Sequence, residues 1–226
     1  AALAQIFAQA LLIHLFSYRN FAVGTAYSRT EPAQAALFGL IFLSETVSWV
    51  VLLAIGISVA GVMLISISRT ELKPSALITS LSTRSVAIGL CSGTFFGIAA
   101  VGYRAASLSL VGPNFLMQGA ITLCSAILFQ TILMVVFIAF RNPREMWTII
   151  AAWKPAMAVG FVGASASFGW FTAMTLEKAA VVKAVAQIEM IFAFASTVLV
   201  FKEKINGLEV AGCSAIVIGI LVLLIA

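Results

Sequence analysis

Aspartate is absent from this chain, and its eight acidic residues are all glutamate. That removes the paired-aspartate metal motifs, and no HExxH or GxSxG motif or Cys/His ligand set takes their place. The three cysteines (Cys91, Cys124 and Cys213) lie singly in apolar runs without metal-ligand spacing, so they read as small buried hydrophobes. Charge of either sign is scarce: 9% of residues are charged, 62% are hydrophobic, and the mean hydropathy is +1.14. A soluble domain carries roughly a quarter charged and half apolar residues. So few polar groups could not cover a water-facing surface, which excludes a soluble globular protein. The composition is that of an integral membrane protein. The net charge of +5 is modest and gathers between apolar runs. It points to lipid and membrane topology rather than to nucleic acid.

What is present is a series of long apolar runs. Eight candidate spans cover residues 1–18, 28–44, 47–67, 85–107, 113–140, 155–176, 179–200 and 206–226. Each is near the length that crosses ~30 Å of hydrocarbon. Their continuity, without ten-residue alternation, predicts helices rather than a barrel, so the fold class expected is an all-α membrane bundle. The first span has no basic leader and no cleavage site after it, unlike a signal peptide. Residues 68–84 (SRTELKPSALITSLSTR) read as a polar linker joining residues 1–67 to residues 85–226. Residues 141–155 carry Arg141, Arg144, Trp147, Trp153 and Lys154, a mixture suited to the headgroup level.

An internal repeat organises the chain. Sliding the sequence by 158 residues lays Glu31 on Glu189, Glu45 on Glu203 and Gly61 on Gly219, with Ala22, Val23, Ala26, Ala35 and Val59 also meeting identical residues. Alanine and valine matches carry little weight in apolar sequence; two glutamates in step carry more. The matched spans are an odd number of crossings apart, which predicts an inverted-topology repeat of the kind secondary transporters use, with a site near the midplane.

The pattern of apolar helix, Glu, short turn and Gly-containing closing helix (FLSETVSWVVLLAIGISVAGVMLI and VFKEKINGLEVAGCSAIVIGILVLL) resembles the EamA domain of the drug/metabolite transporter superfamily. The RTEP segment resembles it too, although the second copy has Met190 where the first has Pro32. So does GTFFGIAAVGYRAASLSLVGPNF, with Arg104 and Pro113 at the family's basic and proline positions. The resemblance implies a ten-helix carrier of five plus five, here lacking about 70 to 80 residues and two helices before Ala1. Residues 1–67 would then be the C-terminal portion of the first EamA repeat and residues 85–226 the second. The implied function is transport of a small metabolite or drug-like solute by alternating access, as an exporter in the bacterial inner membrane. No cofactor is implied. The expected partners are a small-molecule substrate and membrane lipid, with a homodimer left open and no nucleic acid. A membrane-embedded enzyme and a non-transporting structural or signalling protein are the competing readings.

The candidate substrate-binding or proton-coupling residues are Glu31, Glu189, Tyr27, Gln187, Tyr103, Arg104, His14 and Trp170. Glu189 lies about ten residues into a span, where an unpaired charge costs a few kcal/mol; the alternative is a locally satisfied packing residue. Glu31 stands before Pro32, where a helix start favours an acidic cap. Because Glu189 matches it without a proline, in a run that reads as continuous helix, capping does not explain both. Tyr27, four residues before Glu31, is a candidate donor to it. Gln187 and Glu189 lie about 200° apart around a helix and face different ways; Lys183 is near enough to a span end to snorkel. Tyr103 and Arg104 read equally as pocket groups or interface anchors, His14 as a proton carrier or a packing residue, and Trp170, Asn114 and Gln118 as pocket lining. Ala211, Ala215 and Gly219 form a small-residue face for helix packing. Most basic residues lie on the side of the connections after spans one, three, five and seven, which places the linker inside and the C-terminus outside. The family resemblance implies the reverse, and it is the orientation preferred here.

Overall fold

The structure, a computed structural model, describes the whole chain except residues 19–20, 69–83, 112–113, 201, 203–205 and 226. Most of the expected linker, with Arg69 and Lys73, lies outside the described residues, as do Arg19, Pro113, Glu203 and Lys204. The described elements are helices, with no strand among them. They are α1 (Ala2–Leu15), α2 (Phe21–Ser28), α3 (Glu31–Leu43), α4 (Trp49–Ser68), α5 (Arg84–Leu108) and α6 (Phe115–Arg141). Then come α7 (Pro143–Ala151), α8 (Trp153–Leu176), α9 (Ala179–Val185), a 3₁₀ turn (Ala186–Ile188), α10 (Glu189–Leu199) and α11 (Gly207–Ile225).

Six helical segments are long and apolar enough to cross a membrane: Trp49–Ser66, Arg84–Leu108, Phe115–Arg141, Trp153–Leu176, Ala179–Ser196 and Gly207–Ile225. This is a multi-pass arrangement by length and composition. Two of the eight expected spans fall short as single α-helices. α1 has 14 residues and α3 has 13, about 20 Å each at 1.5 Å per residue. The expected span 28–44 is cut at its start, because residues 29 and 30 form a turn between α2 and α3.

The chain forms two compact units, one made essentially of residues 3–101 with 178–226 and the other of 102–177. In the first, α4 lies antiparallel against α11 in the most extensive helix–helix contact. The approach is close because glycine faces backbone. A Cβ on Gly61 would stand 2.6 Å from the Gly212 carbonyl oxygen and 2.9 Å from Ile216 Cγ1, and one on Gly219 would stand 2.8 Å from the Ala54 carbonyl oxygen and also collide with Ser58. Without a hydrophobic force between helices in lipid, such van der Waals contact is a main source of association. Val62, Ile65 and Ile216 fill the seam, flanked by Met190, Ile191, Cys213 and Ile220. The packed face of α11 is therefore Gly212, Ile216 and Gly219. It corrects the expected stripe: Ala211 is exposed and Ala215 only half-buried.

These contacts are related to one another by the 158-residue offset. Exchanging the two halves turns the pair Gly61–Gly212 into Ala54–Gly219, and Gly61–Ile216 into Ser58–Gly219, all four of which are seen. Helices begin at Phe21 and Ala179, at Glu31 and Glu189, and at Trp49 and Gly207, each pair in step. The two non-glycine residues with positive φ among those described, Ser44 (54°) and Lys202 (53°), are also in step; Ser44 directly follows Leu43 and Lys202 comes three residues after Leu199.

In the second unit α6 packs against α8, with Gly119 on Thr172. Ser107 Oγ donates to Thr122 Oγ1 at 3.0 Å. Asn114 is the N-cap of α6, its Oδ1 accepting from the Met117 N–H at 2.9 Å, and Gln118 Nε2 donates to the Leu110 carbonyl at 2.9 Å. Both side chains thus serve the helix start.

Candidate functional site

Glu31 and Glu189 each open a helix just after an irregular turn. On the first side Thr30 holds the break: its hydroxyl donates to the Tyr27 carbonyl at 2.7 Å and accepts from Gln34 Nε2 at 2.7 Å. Pro32, lacking an N–H, sits in the first turn of α3 at no loss, since that donor has no intrahelical partner. The helix starts at Glu31, one residue before Pro32. On the second side there is no proline, and the 3₁₀ turn Ala186–Ile188 separates α9 from α10. This corrects the expectation of uninterrupted α-helix around Glu189. The tighter turn leaves Glu189, like Glu31, in the first turn of a new α-segment.

The two glutamates are paired crosswise with the other half's cations. Lys183 Nζ lies 2.7 Å from Glu31 Oε1, with side chains 18% and 16% exposed. Arg29 Nη1 pairs with Glu189 Oε1, with side chains 41% and 51% exposed. Helix ends favour this placement. Arg29 follows the last residue of α2 and Lys183 lies in the last turn of α9, while the carboxylates sit at helix N-termini. Partial positive charge at an N-terminus and negative at a C-terminus stabilise these signs. The four groups sum to zero charge, so no net charge is left at the crossing.

Around this quartet, acceptors are left over. Gln187, 5% exposed, has its Oε1 buried without a hydrogen-bond partner, as does Gln34 Oε1. Buried polar atoms are rarely orphaned unless water or a ligand serves them. Tyr27 is buried, packed with Val86 and Met63. His14 is exposed at the end of α1, its Nε2 3.4 Å from the Tyr18 hydroxyl with the rings edge-to-face at 5.4 Å. Among the described residues no three of His, Cys, Asp or Glu gather to hold a metal.

The remaining candidates belong to the second unit. Arg104 donates from Nη1 to the carbonyls of Met174 (2.8 Å), Thr175 (3.3 Å) and Glu177 (2.6 Å), closing the C-terminal end of α8. Such carbonyls lack intrahelical donors. Tyr103 packs against Phe171 with the rings tilted and their centres 4.4 Å apart, and accepts from Gln130 Nε2 at 3.2 Å. Trp170 is half-buried on α8.

Sequence reasoning set Lys183 aside and gave Arg29 no role. A signal for both existed: in an apolar chain, charges within a few residues of the repeated glutamates have little else to meet. The chain matches no family model and no curated protein.

Proposed function

We propose that this chain is a secondary transporter of the EamA type, moving a small metabolite or drug-like solute across the bacterial inner membrane by alternating access, as an exporter. The observation that carries this reading is the pairing of contacts under the 158-residue offset. Gly61 meets Gly212 and Ile216 as Gly219 meets Ala54 and Ser58, across two antiparallel helices. Two halves of like build in opposite directions are what an inverted-topology repeat provides. Carriers of that design place their sites at the repeat interface, on helices interrupted near the midplane. The crossed pairs Glu31–Lys183 and Arg29–Glu189 lie at such interruptions. A half-exposed ion pair is far too costly against hydrocarbon, so its exposed side faces a water-filled path. In this reading Glu31 and Glu189 bind the solute's cationic or amino group or carry the coupling proton. Loosening one pair while the other stays closed offers alternating access from two like halves.

The test is uptake and counterflow in proteoliposomes holding the purified chain, against pooled metabolites. Wild type is expected to move at least one solute class above protein-free vesicles. Glu31→Gln and Glu189→Gln, each folded, are expected to abolish this movement. Wild-type flux equal to that of empty vesicles removes the transporter reading. Normal transport by both variants removes the role of the glutamates.

A further inference from the structure

One face of α6 ends in a feature that the transport reading does not use. Leu133, Val136, Phe137, Phe140 and Arg141 line an open groove of about 860 Å³. Their spacing of three and four places them on a single stripe of the helix, and Val136, Phe137 and Phe140 are all exposed. From Leu133 to Arg141 the stripe rises about 12 Å at 1.5 Å per residue. That approaches one leaflet's share of a ~30 Å hydrocarbon core. The apolar stretch is the right length for acyl chain, and the charge stands where a headgroup phosphate lies.

The surrounding sequence adds to that charge. Asn142 alone separates α6 from α7, whose first turn holds Arg144. Glu145 is the nearby acid, and it accepts a hydrogen bond from Asn142 Nδ2 at 2.8 Å. Neither Arg141 nor Arg144 has an ion-pair partner among the described residues. At nine residues α7 is too short to cross. Met146, Trp147 and Ile150 share one of its faces, and Trp147 is exposed, as expected of a helix lying in the interface. At its far end Lys154 Nζ lies 5.7 Å from the Trp153 ring centre. A second copy of the chain is a poor occupant, having no aspartate and few glutamates to set against the arginines.

We infer that this groove is a binding site for an anionic glycerophospholipid, its acyl chain along Leu133–Phe140 and its phosphate held by Arg141 and Arg144. The site is independent of the transport reading. The experiment is native mass spectrometry of the full chain released from mixed micelles holding equal phosphatidylglycerol and phosphatidylcholine. Each arginine near a membrane surface favours a net anionic lipid over a zwitterionic one, which shares the phosphate but offsets it with choline, by about 1 kcal/mol. With two arginines, wild type should therefore retain phosphatidylglycerol over phosphatidylcholine by about thirtyfold, and Arg141→Gln/Arg144→Gln should lose most of that preference while Phe140→Leu keeps it. Equal retention of the two lipids by wild type overturns the site, and so does an unchanged preference in the double variant. Recovery of wild type chiefly as a lipid-free dimer would overturn it in favour of a second copy. If the double variant gives no folded protein, the wild-type ratio at low and high salt decides. A preference that falls with salt supports the site, and a salt-independent one refutes it.

Discussion

Replacing Lys183 separates a buried ion pair from an exposed one within the same cluster. Lys183 and Glu31 stand 2.7 Å apart and are 18% and 16% exposed. At an effective dielectric constant near 20 their attraction is about 6 kcal/mol. Desolvating two ions costs several kcal/mol each, so the intact pair contributes little net stability. Removing one partner is different, because the other charge is left buried without compensation, at about 3–5 kcal/mol. Lys183→Met is therefore expected to destabilise the protein by about 3–5 kcal/mol and Glu31→Gln by a similar amount. The double variant should recover most of the loss. For Arg29–Glu189, with side chains 41% and 51% exposed, the same substitutions should each cost no more than about 1 kcal/mol. The assay is unfolding in mixed micelles by added dodecyl sulfate, followed by fluorescence of the four tryptophans. Strict additivity of the two Lys183–Glu31 single changes would refute the reasoning, since it would mean that these groups do not interact.

Four further outcomes are expected. Gly61→Ala and Gly212→Ala, whose new Cβ would lie 2.6 Å from the facing carbonyl oxygen, should each lower stability by about 1–3 kcal/mol in the same assay. Gly56→Ala, which meets nothing within 4 Å, should be neutral or slightly stabilising. In a background with Cys91, Cys124 and Cys213 changed to Ala, a cysteine introduced by Glu189→Cys should react with a charged, membrane-impermeant thiol reagent in right-side-out or inverted vesicles, and one from Ala184→Cys, a buried site, should not. Arg104→Gln, which strips three carbonyls of their donor, should cost about 1–3 kcal/mol, read as a lower unfolding midpoint.

Much of this chain was legible from one dimension. Long apolar runs with almost no charge dictate helices, because a lipid-facing backbone must satisfy its own polar groups. The register of Glu31 with Glu189 and Gly61 with Gly219 was visible by sliding the sequence on itself, and helix starts at 31 and 189, and at 49 and 207, follow that register. Asn114, by contrast, reads from the sequence as pocket lining, and the structure shows it capping the start of α6.

Helix faces were not legible. The membrane helices are apolar on every side, so no amphipathic stripe marks the inward face. Ala211–Ala215–Gly219 and Gly212–Ile216–Gly219 are rows of small or apolar residues that differ by a modest rotation, and the close approach of α4 selects the second. The 3₁₀ turn before Glu189 was also invisible, because no proline or glycine marks it. Nor does spacing reveal that Glu31 meets Lys183 and Glu189 meets Arg29, since each pair joins residues more than 150 positions apart. Sequence by itself determined the solvent, the helices and the in-step glutamates. Tertiary structure decided which faces touch and which charges cancel, because only the fold brings distant segments close enough for glycine to admit a backbone and for one charge to replace another's lost water.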